Sequence, residues 1–510
     1  MHAALQIDEV VQHVADNVGP EDPSTLLHMS LACRAFFDPA MNALWRVLRD
    51  PECLMRVLPE RTRGSAEVDG VVTFNLVMPP SEAEWQRFAG YAQRVRVLEC
   101  PPQAAWLAGW VVVRSSYWGP VMDDFPGGPL FPNLHTLSSQ WGPPCDQHAL
   151  LLRPPLRYLH LEAVNEDSIE TIIDALTACA ETLETIFIHA SSYLEDSGRL
   201  AHKLTNALLK FKKLSSLDSN LPFPDAMIHL STLSTLRELH LHDIQNIPTT
   251  DLPFLILEEL ALRVGVRAEH ALVPFLQKLG APALQMLNIT RGFRSNWDSP
   301  DFRRPPATYV HTLLSEVSRF CRLRTFTLDS PLTDSPPEDE HILSGHMLTP
   351  LSSLRALETL DLRVLPVHLT LGDTESLARA WPHMRYLRVA DEAFRGGATR
   401  LRLLEVDALL PFARLCPQLD VLTLPLRISE AAPDVVMGAL PPPSQVTALC
   451  VVDVRPGVSD AAVELLARVF PRARVDCHCN DPHPTRELNR RKDSWDVVGR
   501  PLQSGMSRIS

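Results

Sequence analysis

LRYLHL, Leu156–Leu161, and LETLDL, Leu357–Leu362, are one phrase written twice: apolar, two residues, apolar, one residue, apolar. In an extended chain alternate side chains face opposite ways. Leu159 and Leu161 are therefore predicted to enter a core, while Tyr158, His160 and Glu162 line the other face. The phrase returns as LETIFI from Leu183, LRELHL from Leu236, LEELAL from Leu257, LQMLNI from Leu284, LRTFTL from Leu323 and LDVLTL from Leu419. Weaker copies start at Leu134, Leu214, Met384 and Val446. Successive starts are separated by as little as 21 residues (236 to 257) and as much as 39 (284 to 323), about 28 on average.

Helical spacing fills the intervals. In EDSIETIIDALTACAETL, Ile169, Ile172, Ile173 and Leu176 share a face, and ALVPFLQKL, YVHTLLSEVSRFC and SDAAVELLARVF have the same three-and-four rhythm. A strand that reaches a parallel neighbour through a helix coils the chain right-handedly. Stacked units of this period predict an α/β solenoid, an irregular leucine-rich-repeat horseshoe with strands inside and helices outside. A doubly wound α/β enzyme alternates strands and helices too. It needs longer apolar strands and a glycine-rich phosphate loop, and neither a G-x-G-x-x-G nor a Walker sequence occurs.

A net charge of −13 over 510 residues disfavours nucleic acid as a partner, since phosphate binding needs a basic surface. The ten cysteines are scattered rather than set out as a disulfide framework. The N-terminal MHAALQIDEV lacks the charged and apolar regions of a signal peptide, and no apolar run has the roughly 18 residues of a membrane span. The expectation is a soluble protein of the cytoplasm or nucleus that does not engage membranes.

Ahead of the repeats lies a different pattern. ALQIDEVVQHVADNV places Ile7, Val10, Val11, Val14 and Val18 on one helical stripe. EDPSTLLHMSLACRAF offers Asp22 as a cap with Pro23 opening a helix that carries Leu26, Leu27, Ser30 and Leu31. DPAMNALWRVL repeats the device, with Asp38 capping and Pro39 opening a third helix that carries Leu44, Trp45 and Leu48. So short a helical block has a marginal core and leaves apolar surface for a partner. The pieces IDEVVQHV, LLHMSLACRAF and ALWRVL together resemble the F-box, especially the F-box-like form of fungal proteins with C-terminal leucine-rich repeats. The departure is Asp8, where that family most often has proline.

The resemblance implies that the block docks on the Skp-family adaptor of a cullin–RING ubiquitin ligase, while the repeats present a protein substrate. The implied adaptor surface, with the core beneath it, draws on Ile7, Val10, Leu26, Leu27, Leu31, Leu44 and Trp45. A plain helical cap on a non-catalytic interaction scaffold is the alternative. The expected division is an F-box-like domain at 1–60, a linker and capping helix at 61–93, the solenoid at 94–480 and a disordered basic tail at 481–510. In the capping helix, Ser81 and Glu84 have capping-box spacing, and Trp85, Phe88, Ala89 and Ala92 form its apolar stripe.

Substrate binding is expected on the concave strand face. Its residues are Tyr158, His160, Glu162, Phe187, His189, Glu238, His240, His242, Arg263, Arg363, Tyr386 and Arg388, with Glu259 and Asp361 among them. Four of these are histidines on neighbouring strands, which reads more simply as a solvated polar face than as a metal cluster. Cys477 and Cys479 are one residue apart without a second ligand pair, so no metal is expected there. No nucleophile-with-base motif or phosphate cradle appears. Neither catalysis nor a cofactor is predicted. The proline-rich acidic stretch around Ser330 and Ser335 reads as a mobile loop with two Ser-Pro pairs open to phosphorylation.

Overall fold

The structure is a computed structural model. It describes residues 8–49, 51–68, 71–100, 129–139, 151–153, 155–164, 166–190, 198–220, 224–242, 247–265, 269–291, 305–330, 341–389, 403–428, 440–454 and 458–477, with single positions at 125, 485 and 489. Two compact units result, Met1–Leu239 and His240–Ser510.

The first unit begins with α1 (Asp8–Val18), stopped by Gly19. That glycine is left-handed at φ +72°, and its N–H reaches the Ala15 carbonyl at 3.2 Å. In α2 (Pro23–Ala32) the Asp22 carboxylate accepts from the Thr25 N–H at 3.0 Å, and Pro23 occupies the first turn. The third helix departs from expectation. α3 (Arg34–Trp45) begins a turn early and holds Pro39 in its interior. Proline there forfeits one backbone bond, a loss offset by burying Pro39, Ala40, Met41 and Ala43. Asp38 caps nothing of α3; its carboxylate takes the Arg94 guanidinium at 2.6 Å.

The end of α3 leads straight into a strand. β1 (Val47–Leu48) pairs in parallel with β4 (Val97–Cys100), Val47 opposite Val97 and Leu48 opposite Leu98. Between them come α4 (Pro51–Met55), an antiparallel hairpin of β2 (Arg63–Val68) and β3 (Val71–Leu76), and α5 (Glu82–Ala92). The hairpin stands where a linker was expected. α5 starts with the anticipated capping box, the Ser81 N–H donating to Glu84 Oε2 at 2.7 Å, and buries Trp85, Phe88 and Ala92.

Strands then follow in sequence order, each parallel to the one before: β5 (Thr136–Ser139), β6 (Tyr158–Val164), β7 (Thr185–Ala190) and β8 (Ser216–Asn220). Helices α6 (Glu166–Leu176), α7 (Gly198–Leu208) and α8 (Pro224–Thr232) intervene, and β9 (Glu238–His242) spans the division between units. The apolar slots of the phrase form the core, with Leu156, Leu159 and Leu161 each at most 1% exposed.

One hydrogen-bond device recurs along the ladder. A carbonyl at the phrase's second position accepts two consecutive N–H groups from the next copy. His135 O takes Arg157 and Tyr158, Arg157 O takes Glu184 and Thr185, and Arg96 O takes His135 and Thr136. The earliest instance is Arg46 O, which takes Arg96 and Val97. WRVL is thus a copy of the phrase itself, with Trp45 in the slot that Leu156 fills later.

The second unit continues the pattern through β10 (Glu259–Val264), α9 (Glu269–Lys278), β11 (Met286–Arg291), α10 (Ala307–Val317) and β12 (Thr325–Asp329). A small side pair of β13 (Leu343–Ser344) and β15 (Val367–His368) flanks a 3₁₀ segment, Gly345–Ser353, and β14 (Thr359–Arg363). Then come α11 (Leu371–Ala380), β16 (Tyr386–Val389), α12 (Leu410–Leu415), β17 (Val421–Ile428), β18 (Ala448–Val454), α13 (Asp460–Val469) and β19 (Arg474–Cys477). From β10 to β19 the main-sheet strands are parallel and again in sequence order. Leu357, Leu360 and Leu362 are buried, as are Leu284, Leu287 and Ile289. Each fully buried leucine contributes about 1.5–3 kcal/mol. Trp381 is buried without loss because its indole N–H donates to the Leu351 carbonyl at 3.1 Å. The tail, expected to be disordered from 481, contributes Thr485 and Asn489 to the described structure.

Candidate functional site

Two surfaces stand out, the helical block in the first unit and the polar strand face in both. The block's interior is small: Ala15, Leu26 and Ala43, with Val18, Met29 and Leu44 packed against them. α1 turns Val11 and Ala15 inward, which leaves Val10 37% and Val14 44% exposed. α2 buries Leu26 and Ser30 and leaves Leu27 48% and Leu31 73% exposed. Each exposed pair is spaced four apart, so it shares one helical face. Phe37 on α3 is exposed as well.

The seven anticipated adaptor positions therefore separate. Val10, Leu27 and Leu31 are surface, Leu26 is core, and Leu44 is partly buried core. Trp45 is half-buried, its ring 4.9 Å from that of Tyr91 on α5. Ile7 lies outside the described residues. Val14 and Phe37 were missed as surface; a stripe of five apolar positions is too broad for so small a core, which was the available signal. Charge ties the block to the rungs behind it. Arg49 pairs with Glu21 at 2.7 Å and with Glu99 at 3.3 Å, and the Arg49 guanidinium holds the Glu21 carboxyl below its ordinary range.

On the polar strand face of the first unit, register puts Ser138, His160, Phe187 and Asp218 in one row. The His160 ring meets Phe187 edge-on at 4.0 Å. Tyr158 is 38% exposed, beside this row, and Glu238 is exposed on β9. The side chains of Glu162 and His189 lie outside the described residues, though their backbones belong to β6 and β7.

In the second unit His240 Nε2 is 3.1 Å from Glu259 Oε1 on the adjoining strand, and His242 and Arg263 follow on the same face. A second row runs Asn288, Thr327, Asp361, Arg388, Thr423, Cys450 and Asp476 in strict register. Arg363 bridges two carboxylates, Asp361 at 3.1 Å and Asp329 at 3.3 Å. Burial pushes Asp361 upward, while Arg363 and Arg388 pull it back. Tyr386 sits between Thr359 and Val421. Asp329 was not anticipated, yet it fills the slot in its own phrase that Arg263 and Arg363 fill in theirs.

His160 belongs to one unit and His240 and His242 to the other. Among the described residues no group of three His, Cys, Asp or Glu could hold a metal. Cys479 lies outside them, and Cys477 closes β19. Burial pushes the Cys179 thiol up to about 11 and the Cys416 thiol up to about 12, which makes both inert as nucleophiles. Ser330 is 6% exposed and accepts from buried Arg291 at 3.2 Å, so it is not the open loop serine expected. Ser335 lies outside the described residues. No described helix is long and apolar enough to cross a membrane.

Fold and surfaces together define a leucine-rich-repeat array with an apolar helical block built onto its first rung. No family model matches the sequence, and no curated protein matches it. Among solved structures, an internalin from Listeria monocytogenes aligns with a TM-score of 0.30 at 12% identity, over 82% of this chain and 85% of that one. Likeness at that level carries no argument, so the assignment rests on this chain's own ladder of strands.

Proposed function

We propose that this protein is the substrate-recognition subunit of an SCF-type cullin–RING ubiquitin ligase. The helical block takes the Skp-family adaptor, and the polar strand face takes the substrate protein. The observation that carries the reading is the pairing of Val10 with Val14 and of Leu27 with Leu31, exposed on a block whose F-box-like elements follow in order. Isolated exposed leucines are ordinary; two helix-spaced apolar pairs exposed on one small block favour a docking surface. In this reading the chain acts in the cytoplasm or nucleus, uses no cofactor, and contributes proximity while other subunits supply the chemistry.

A second reading has its own support. β1 makes the block part of the sheet, as a simple end cap of a non-catalytic interaction scaffold would be. The two are separated by a binding assay of the intact chain with a Skp-family adaptor, a known F-box serving as positive control. Leu27→Asp or Leu31→Asp is expected to weaken adaptor binding at least about tenfold with no more than a small change in melting temperature. Leu26→Asp does not serve, because Leu26 is 0% exposed and its replacement unfolds the block. An intact chain that ignores the adaptor beside a working control removes the ligase reading and leaves the scaffold.

A further inference from the structure

We propose that Asn489 is the terminal rung of the second unit's sheet and closes the β19 edge against any further strand. β19 is last in strand order, so among the described residues one of its sides has no neighbouring strand. The Arg474 N–H points inward, donating to the Thr447 carbonyl at 2.8 Å. In a parallel ladder, successive residues turn their polar backbone groups to opposite sides. Val475 therefore directs its N–H and its C=O outward. Both are met by one side chain: the Val475 N–H donates to Asn489 Oδ1 at 2.9 Å, and Asn489 Nδ2 donates to the Val475 carbonyl at 2.7 Å.

A carboxamide carries an acceptor and a donor side by side, as a backbone peptide does. Asn489 thus supplies to Val475, with one residue, the two bonds a further strand would make there. Four residues earlier Thr485 is only 6% exposed, so the chain meets the folded body at that position as well. An open strand edge is a template for added strands. The competing occupant is an extended segment of a second copy of this chain.

The test uses the full-length chain and its Asn489→Leu and Asn489→Asp variants. Leucine keeps the approximate size and loses both hydrogen bonds; aspartate keeps an acceptor and loses the donor. Hydrogen exchange of the Val475 amide is expected to rise at least tenfold in Asn489→Leu and less in Asn489→Asp. Sedimentation of Asn489→Leu is expected to show concentration-dependent self-association beyond that of the parent chain. If Asn489→Leu does not fold, the same two readouts on Asn489→Asp decide, with smaller changes expected. Val475 exchange equal to the parent's, or faster exchange without added self-association, overturns the proposal.

Discussion

Single residues show how finely burial divides neighbours that sequence spacing treats alike. Leu26 and Leu27 are adjacent in one helix, yet the first is 0% and the second 48% exposed. Trp45 ends the third helix and at the same time opens a repeat, its ring on Tyr91. Trp45→Ala is expected to cost about 3 kcal/mol, read as a lower denaturation midpoint, whereas Leu31→Asp leaves that midpoint nearly unchanged. Glu84 is governed by its backbone bond to Ser81 and by Arg61, which together lower its carboxyl from 4.5 to about 2. A depressed acid contributes stability that is complete above its unfolded value and lost as protons return. The contribution of the capping box therefore fades as pH falls from 4.5 toward about 2. Glu84→Gln keeps an acceptor but does not titrate, so its melting temperature should lose that acid-range slope. An unchanged slope would assign the titration to other carboxyls.

Elements were legible wherever a local signal spoke alone. Asp22 with Pro23 started α2, and Ser81 with Glu84 started α5. Asp38 with Pro39 misled, because the turn before them could also be helical and the groups on α3 gained more by burial than one backbone bond was worth. β1 was overlooked for another reason. A two-residue strand has no periodicity of its own, and only the paired N–H groups of Arg96 and Val97 on Arg46 O identify it. Extending the phrase by one residue would have found Asp329, since that slot also holds Arg263 and Arg363. The tail's role was out of reach: nothing in NRRKD distinguishes an asparagine that meets a strand edge fourteen residues back from one in water.

At the scale of the whole chain, repeats bond mainly to their sequence neighbours, so stability is a sum of local rungs and interfaces. Leu360 on β14 is 0% exposed, between Phe326 and Leu387 in register. Leu360→Ala should cost about 2–5 kcal/mol, and hydrogen exchange should accelerate first in β12, β14 and β16. Uniform acceleration through β5 to β8 as well would show that the two units unfold as one. The sequence by itself determined the repeat, the parity that sends leucines inward and polar residues outward, and the presence of helices ahead of it. These follow from the two-residue period of a strand and the three-to-four-residue period of a helix, which any window of the chain displays. Only the tertiary structure decided which apolar residues of the helical block remain on the surface, that Trp45 and β1 join it to the sheet, and that Asn489 completes the last rung. Those depend on contacts between segments distant in sequence, and no local period encodes a partner that far away.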